Sequence, residues 1–184
     1  ATAAFHNSYY FHKDDNVITN KEEVCGDFEK LINLQLKEKH PKSWMRAFFN
    51  MGLINYIEGS RRMLPCQAGE MNFFVEPYGD IYPCNGLEKK YWKKSMGNIR
   101  ETPNFKEIWE GEQAEQVRQM VRRCPKNCWM VGTASPVMHK YIKYPLKWAL
   151  KNKLRSLQGK TACLDKCWYN VGQDPSQGDL REVF

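Results

Sequence analysis

The 184-residue sequence contains no run of about 18 apolar residues, the length that a membrane-spanning helix needs. No Ser-His-Asp arrangement, glycine-rich phosphate loop or paired carboxylates stand out. Histidine is scarce, and its spacing does not suggest a metal site (His6, His12, His40 and His139). These absences argue against the common hydrolase and nucleotide-binding sites and direct attention to the cysteines.

The N-terminal residues lack the charged and then apolar pattern of a secretory signal peptide. We therefore expect a reducing, cytoplasmic compartment, where disulfides are rare and clustered cysteines more often bind metal. The sequence also begins without Met, and we expect it to be processed or cut from a longer protein. With 42% hydrophobic and 13% aromatic residues, it has enough apolar material for a packed core.

The order of predicted elements indicates an α+β chain. The aromatic stretch Phe5 to Phe11 favours a strand, and Thr19 and Asn20, with Glu22 and Glu23 three residues on, favour the start of a helix. The remaining predictions are a helix over about 41–56, a β-hairpin over 71–84 that turns at residues 77–80, a helix over about 104–122, and a basic helix with Pro145 in its first turn.

Seven cysteines cannot all pair, and six of them are grouped. Cys25 stands alone on the edge of the first predicted helix, where we interpret it as a core residue. Cys66 and Cys84 flank the predicted hairpin, which would bring them together. The others fall in two CxxxCW patterns, Cys124-x3-Cys128-Trp129 and Cys163-x3-Cys167-Trp168, which fit either two half-sites or a coincidence.

Four thiolates from a hairpin and a following loop suit two metal centres. Tetrahedral zinc takes four cysteines, and so does a [4Fe–4S] or [2Fe–2S] cluster. Structural zinc sites usually have short CxxC pairs in both halves, whereas here Cys66 and Cys84 are separated by 17 residues. The spacing therefore favours iron–sulfur, with zinc and merely buried thiols as the alternatives.

The pattern Cys66-x12-Gly79-x4-Cys84 resembles the signature of SPASM/twitch domains, the C-terminal auxiliary-cluster domains of radical S-adenosylmethionine enzymes. Residues 76–84 (EPYGDIYPC), 97–99 (GNI) and 105–109 (FKEIW) resemble that family as well, and the likeness spans about 64–131. The Cys-x2-Cys-x5-Cys-x3-Cys run of full SPASM domains is missing, so the chain resembles the shorter twitch form. The resemblance implies one [4Fe–4S] cluster on Cys66, Cys84, Cys124 and Cys128, and it leaves open a second site at Cys163 and Cys167.

The radical-generating Cys-x3-Cys-x2-Cys motif of these enzymes is absent: Val131 and Asn170 stand where a third cysteine is required. The resemblance therefore implies a non-catalytic fragment of a radical S-adenosylmethionine oxidoreductase. Its three parts would be residues 1–63 as the end of a partial α/β barrel, 64–133 as the cluster domain, and 134–184 as a basic helical extension and tail. S-adenosylmethionine would bind only to the full-length enzyme, whose missing N-terminal barrel is the expected partner.

The implied function is an auxiliary iron–sulfur domain that supports electron transfer or substrate positioning, with a peptide or protein substrate under maturation. The rival hypothesis is a zinc-binding interaction module that uses four cysteines and has no redox role.

The stretch from Lys140 to Lys160 carries seven Lys and Arg residues and no acidic residue. Its apolar stripe consists of Leu146, Ala149, Leu150, Leu154 and Leu157. The stretch fits either a solvated basic helix or a surface for an acidic peptide, a phosphate-bearing substrate or an anionic membrane. No nucleic-acid-binding motif accompanies the charge, so nucleic acid is not a predicted partner.

Overall fold

The computed structural model describes residues 18–84, 94–124 and 126–164, which include six helices and a small antiparallel sheet. The predicted α+β class is confirmed. In chain order the elements are α1 (Lys21–Lys37), α2 (Pro41–Ile57), β1 (Phe74–Val75), β2 (Asp80–Tyr82), β3 (Gly97–Asn98), α3 (Phe105–Glu110), α4 (Glu112–Arg122), α5 (Val131–Lys140) and α6 (Lys143–Leu157).

The described residues divide into two compact units. Residues 18–65 and 126–164 form what we call the helical unit, and residues 66–84 and 94–124 form the hairpin unit. The helices that follow the predicted cluster domain are thus grouped with those that precede it. The three-part domain division above stays a prediction, and the strand predicted at Phe5 to Phe11 lies outside the described residues.

Aromatic residues fill the core of the helical unit, in which α1 packs against α2 and α6. Phe48 makes edge-on contacts with the buried indoles of Trp148 and Trp129, with ring centroids 5.6 and 6.5 Å apart. At the end of α1, the Lys153 ammonium donates to the carbonyls of Leu36 (2.8 Å) and Glu38 (2.9 Å). A cation at that position complements the negative end of the helix dipole, so α6 also stabilises the end of α1.

Helix α6 buries a narrow face made of Pro145, Trp148, Ala149 and Asn152. Of the five residues in the predicted apolar stripe, only Ala149 is therefore buried, and the four leucines are exposed. The physical reason is that the bulky Trp148 and the hydrogen-bonding Asn152 turn their own side of the helix inward. The leucines then lie on the side that carries the lysines.

The hairpin unit is built on the predicted hairpin, which the structure confirms. Strand β1 pairs antiparallel with β2, with Phe74 opposite Tyr82. Strand β3 was not predicted from the sequence; it pairs with the other edge of β2 and places Gly97 opposite Ile81. The order β1-β2-β3 leaves Ile81 fully buried in the middle of the sheet.

The prediction of a single helix over 104–122 is wrong in one respect, because the observed helix is interrupted at Gly111, which separates α3 from α4. Gly111 has extended backbone angles (φ −70°, ψ 156°), and a Cβ at this position would lie 2.9 Å from the Glu107 carbonyl oxygen. The missing side chain therefore permits the close backbone approach at the break between the two helices. Asn104 caps α3 by accepting from the Lys106 N–H at 3.2 Å.

The predicted cap of α1 also differs in detail. Asn20 is the N-cap residue, but its side chain makes no capping bond to the helix backbone. Instead, its Nδ2 donates to Glu23 Oε2 at 2.7 Å. The helix begins at the predicted position, but a hydrogen bond between two side chains replaces the full capping box.

Candidate metal centre

Cys66 opens a tight loop that is hydrogen-bonded to the strand leading to Cys84. Gly69 has a left-handed φ of +77° and donates its N–H to the Asn72 carbonyl at 2.7 Å. The Asn72 side chain in turn donates to the Pro83 carbonyl at 3.1 Å. The loop after Cys66 is thereby fixed next to the residue that precedes Cys84.

The spacing Gly-x4-Cys has a local structural cause. Gly79 has φ +95°, which L-residues rarely adopt, and a Cβ there would lie 2.8 Å from Asn98 Oδ1. Asn98 Nδ2 donates to Asp80 Oδ1 at 3.0 Å, so the side chain of this β3 residue braces the hairpin turn. The turn reverses the chain, and the three residues of β2 plus Pro83 then lead to Cys84.

The GNI motif (residues 97–99) and the FxxIW motif (residues 105–109) are in contact in the structure. Gly97 has φ +149°, and a Cβ there would lie 2.6 Å from Ile108 Cγ2. Because α3 can approach β3 only where no side chain intervenes, glycine is required at this position. The two motifs therefore form one packing contact between strand β3 and helix α3.

Arg118 of α4 connects the helices of the hairpin unit to the Cys66 loop. Its Nε donates to the Gly69 carbonyl at 2.8 Å and its Nη2 to the Trp109 carbonyl at 2.6 Å. The guanidinium also lies 4.7 Å from the centre of the Trp109 ring, a cation–π contact. One residue thus joins α4, the end of α3 and the loop after Cys66.

A second arginine joins the same parts nearer Cys124. Arg122, at the end of α4, forms an ion pair with Glu70 at 3.3 Å. The chain then leaves the helix, and the Cys124 N–H donates to the Val121 carbonyl at 3.0 Å. The helix end that presents Cys124 is therefore attached to the loop that presents Cys66.

Three predicted ligands, Cys66, Cys84 and Cys124, are half-buried and pack against one core. That core consists of Ala68, Ile81, Tyr82, Met96, Ile108, Ala114, Val117 and Val121. Within residues 18–84, 94–124 and 126–164, no group of three His, Cys, Asp or Glu side chains has an arrangement that could hold a metal ion. The structure therefore brings these cysteines to one core without forming a complete set of ligands.

Cys128, the fourth predicted ligand, belongs to the helical unit, and the residues on both sides of it are anchored there. Asn127 donates its side-chain amide to the carbonyls of Tyr56 (3.2 Å) and Ser60 (3.0 Å). On the other side, the Trp129 indole N–H donates to the Phe49 carbonyl at 2.8 Å. This short loop is thus held firmly against α2 and the segment that follows it.

A buried cation adjoins Cys128. Arg62 is only 5% exposed, donates Nη1 to the Cys128 carbonyl at 2.6 Å and donates Nε to the Leu64 carbonyl at 2.9 Å. Its guanidinium also lies 5.7 Å from the Trp129 ring centre. The pKa of Tyr56 is raised, mainly by burial and further by the negative charge of an ionised Cys128.

The remaining cysteines are placed elsewhere. Cys25 packs at the edge of the helical core, in agreement with its predicted role. Cys163 follows α6, where its N–H donates to Asn152 Oδ1 (2.6 Å) and its carbonyl accepts from the Trp148 indole (3.2 Å). Its predicted companion, Cys167, lies outside the described residues.

The residues that hold the cysteine loops, Arg118, Asn72 and Arg62, were not predicted from the sequence. They make their bonds to backbone carbonyls, and the bonds of Arg118 and Arg62 reach residues 49 and 66 positions away. Their neighbours in the sequence carry no signal of such bonds. Glu70 and Arg122 offered only a weak signal, as opposite charges near two predicted ligands.

Comparison with known protein families finds a match over this part of the chain. The family model of the SPASM domain, described as an iron–sulfur cluster-binding domain, matches residues 66–130. Comparison with curated proteins and with solved structures gives no significant match. The matched range begins at Cys66 and includes Cys84, Cys124 and Cys128. Residues 66–130 of this chain are therefore a SPASM domain, an iron–sulfur cluster-binding domain.

Proposed function

We propose that Cys66, Cys84, Cys124 and Cys128 bind one [4Fe–4S] cluster, which serves as an auxiliary cluster of a radical S-adenosylmethionine enzyme. The observation that carries the proposal is the packing of three cysteines against one core inside the matched range. The fourth ligand, Cys128, is assigned from the spacing of the sequence.

The donor set fits an iron–sulfur cluster. Such clusters are held by four cysteine thiolates, and the four residues are present as half-buried thiols. When bound, the cluster would supply one-electron transfer at a potential set by hydrogen bonds, charge and exposure. Four protein thiolates leave no iron site for a substrate, so the role is outer-sphere electron transfer or support of the domain's shape.

The chain's own residues prepare the ligands for this role. Asn72 and Arg118 hold the loops of Cys66 and Cys84 through backbone carbonyls. Asn127 and Arg62 do the same for the loop of Cys128, and Arg62 adds a buried positive charge. A positive charge beside an anionic cluster favours its reduced form, so this arginine would raise the reduction potential.

The enzyme context is the finer part of the proposal. The sequence lacks a Cys-x3-Cys-x2-Cys motif, so another segment or partner, the N-terminal barrel, would bind S-adenosylmethionine and generate the radical. Residues 1–63 would contribute the last elements of that barrel. The substrate class is a peptide or protein under maturation in a reducing, cytoplasmic compartment. Among the described residues, no helix combines the length and the apolar character that crossing a membrane requires.

Metal and sulfide analysis of anaerobically prepared protein tests the cluster. We expect about four iron and four sulfide per chain, with a broad charge-transfer absorption in the visible range. Cys66→Ala, Cys84→Ala, Cys124→Ala and Cys128→Ala should each abolish most of it. Cys25→Ala is the matched control, because Cys25 packs at the helical core, and it should keep the full iron content.

The same analysis decides between iron–sulfur and zinc. About one zinc per chain and no sulfide, lost in the same four variants, would replace the redox role with a structural zinc module on the same four cysteines. A Cys163→Ala variant that lost half of the iron would instead indicate a second site at Cys163 and Cys167.

A further inference from the structure

The exposed face of α6 combines a leucine row with a lysine row, and we propose that it docks on the surface of an anionic phospholipid bilayer. Leu146, Leu150, Leu154 and Leu157 are 43%, 47%, 61% and 71% exposed. Their spacing of four, four and three residues places them along one side of the helix. A single exposed leucine is ordinary, but a continuous row marks an interaction surface.

The lysine row runs beside the leucines. Lys143, Lys147 and Lys151 are exposed and follow one another at four-residue intervals, adjacent to the leucine row on the helix surface. Lys153 and Arg155 of the same helix donate to backbone carbonyls of Leu36 and Thr161 within the helical unit. The sequence from 131 to 164 contains no acidic residue, so every side chain of this stretch that is charged at neutral pH is basic.

An anionic lipid surface satisfies both rows at once. The leucines would enter the boundary between headgroups and acyl chains, while the lysine stems reach back to the phosphates. The face is one side of a single helix, so it is convex and suits a flat, laterally continuous surface along all of its 15 residues. The charge of the whole chain, +7, adds attraction to an anionic surface.

Vesicle co-sedimentation of the whole chain tests the proposal. We expect binding to vesicles with phosphatidylglycerol, and much weaker binding to pure phosphatidylcholine vesicles or in high salt. Lys147→Gln with Lys151→Gln should weaken binding roughly 25-fold, at about fivefold per lysine. Leu150→Ser with Leu154→Ser should weaken it by about tenfold or more.

Matched controls distinguish docking through this face from non-specific adsorption to vesicles. Leu34→Ser changes a leucine that is 59% exposed on α1, and Lys30→Gln removes an exposed lysine of the same helix. Both controls should bind vesicles as well as the unchanged protein. Circular dichroism should show unchanged helix content for every variant, because all of these side chains face solvent.

Several results would overturn the proposal. One is the absence of binding to anionic vesicles. Another is binding that the lysine variant weakens and the leucine variant does not, which is charge adsorption alone. A third is a concentration-dependent dimer, or saturable binding of an acidic glutamate- and leucine-containing peptide, that Leu150→Ser with Leu154→Ser abolishes while vesicle binding is absent or unaffected. The face would then belong to a protein interface.

Discussion

Each of the two units of this chain is stabilised internally in a different way. The helical unit has a large core around Phe48, Trp129 and Trp148, to which four helices contribute. The hairpin unit has a core of eight mostly small or medium-sized residues, strands of two or three residues, and side chains bonded to backbone carbonyls. A core that small rarely stabilises a domain alone, and small domains commonly add a metal or a covalent link. Three of the four proposed ligands, Cys66, Cys84 and Cys124, therefore lie in the unit that most needs such a link.

The largest expected effect on stability comes from a substitution in the core of the helical unit. Trp129 is 1% exposed, contacts Phe48 and Phe49, and donates to the Phe49 carbonyl. Trp129→Ala should lower the free energy of unfolding by about 3–5 kcal/mol. Urea denaturation followed by far-ultraviolet circular dichroism measures this change. A loss below about 1 kcal/mol would show that the aromatic core does not carry the unit.

A smaller change in the same unit adds one methyl group. Gly52 lies against the Trp129 indole, and a Cβ there would be 2.1 Å from the ring, so Gly52→Ala should destabilise by about 1–3 kcal/mol. The control is Gly26→Ala in α1, where no atom lies within 4 Å of the added carbon. That variant should stabilise by about 0.5–1 kcal/mol. Equal effects of the two changes in urea denaturation would contradict the packing described for Trp129.

In the hairpin unit, one arginine should matter more than its neighbour. Arg118 bonds to the carbonyls of Gly69 and Trp109, so Arg118→Met leaves two carbonyls without this donor and should cost about 1–3 kcal/mol. Arg122→Met removes only a half-exposed ion pair with Glu70 and Glu115 and should cost less than about 1 kcal/mol. Thermal unfolding compares the two variants, and iron content after anaerobic preparation should fall only for Arg118→Met.

Local patterns in the sequence predicted much of this fold. The turn that contains Gly79 predicted the hairpin, and Pro41 predicted the start of α2 at the observed residue. The sequence did not predict α5, because Gly132 and Pro136 lower its helix propensity, and the buried Ala134, Val137 and Met138 stabilise it by tertiary packing. The split at Gly111 was missed for a related reason, since the apolar periodicity continues across the break between α3 and α4.

The site was predicted in part. Motif spacing pointed to Cys66, Cys84 and Cys124, which the structure places around one core. It could not show that Arg118 and Asn72 hold their loops, because those bonds depend on tertiary approach. It also could not show which face of α6 is buried, since that depends on where Trp148 and Asn152 find their partners.

Amide hydrogen exchange with and without iron tests most directly whether the hairpin unit depends on a cluster. Anaerobic protein would be compared before and after removal of its iron by a chelator, with mass spectrometry of peptides from each unit. We predict that iron removal speeds exchange throughout β1, β2 and α4, and leaves the central turns of α1, α2 and α6 unchanged. Equal exchange of the hairpin unit in the two states would contradict the account.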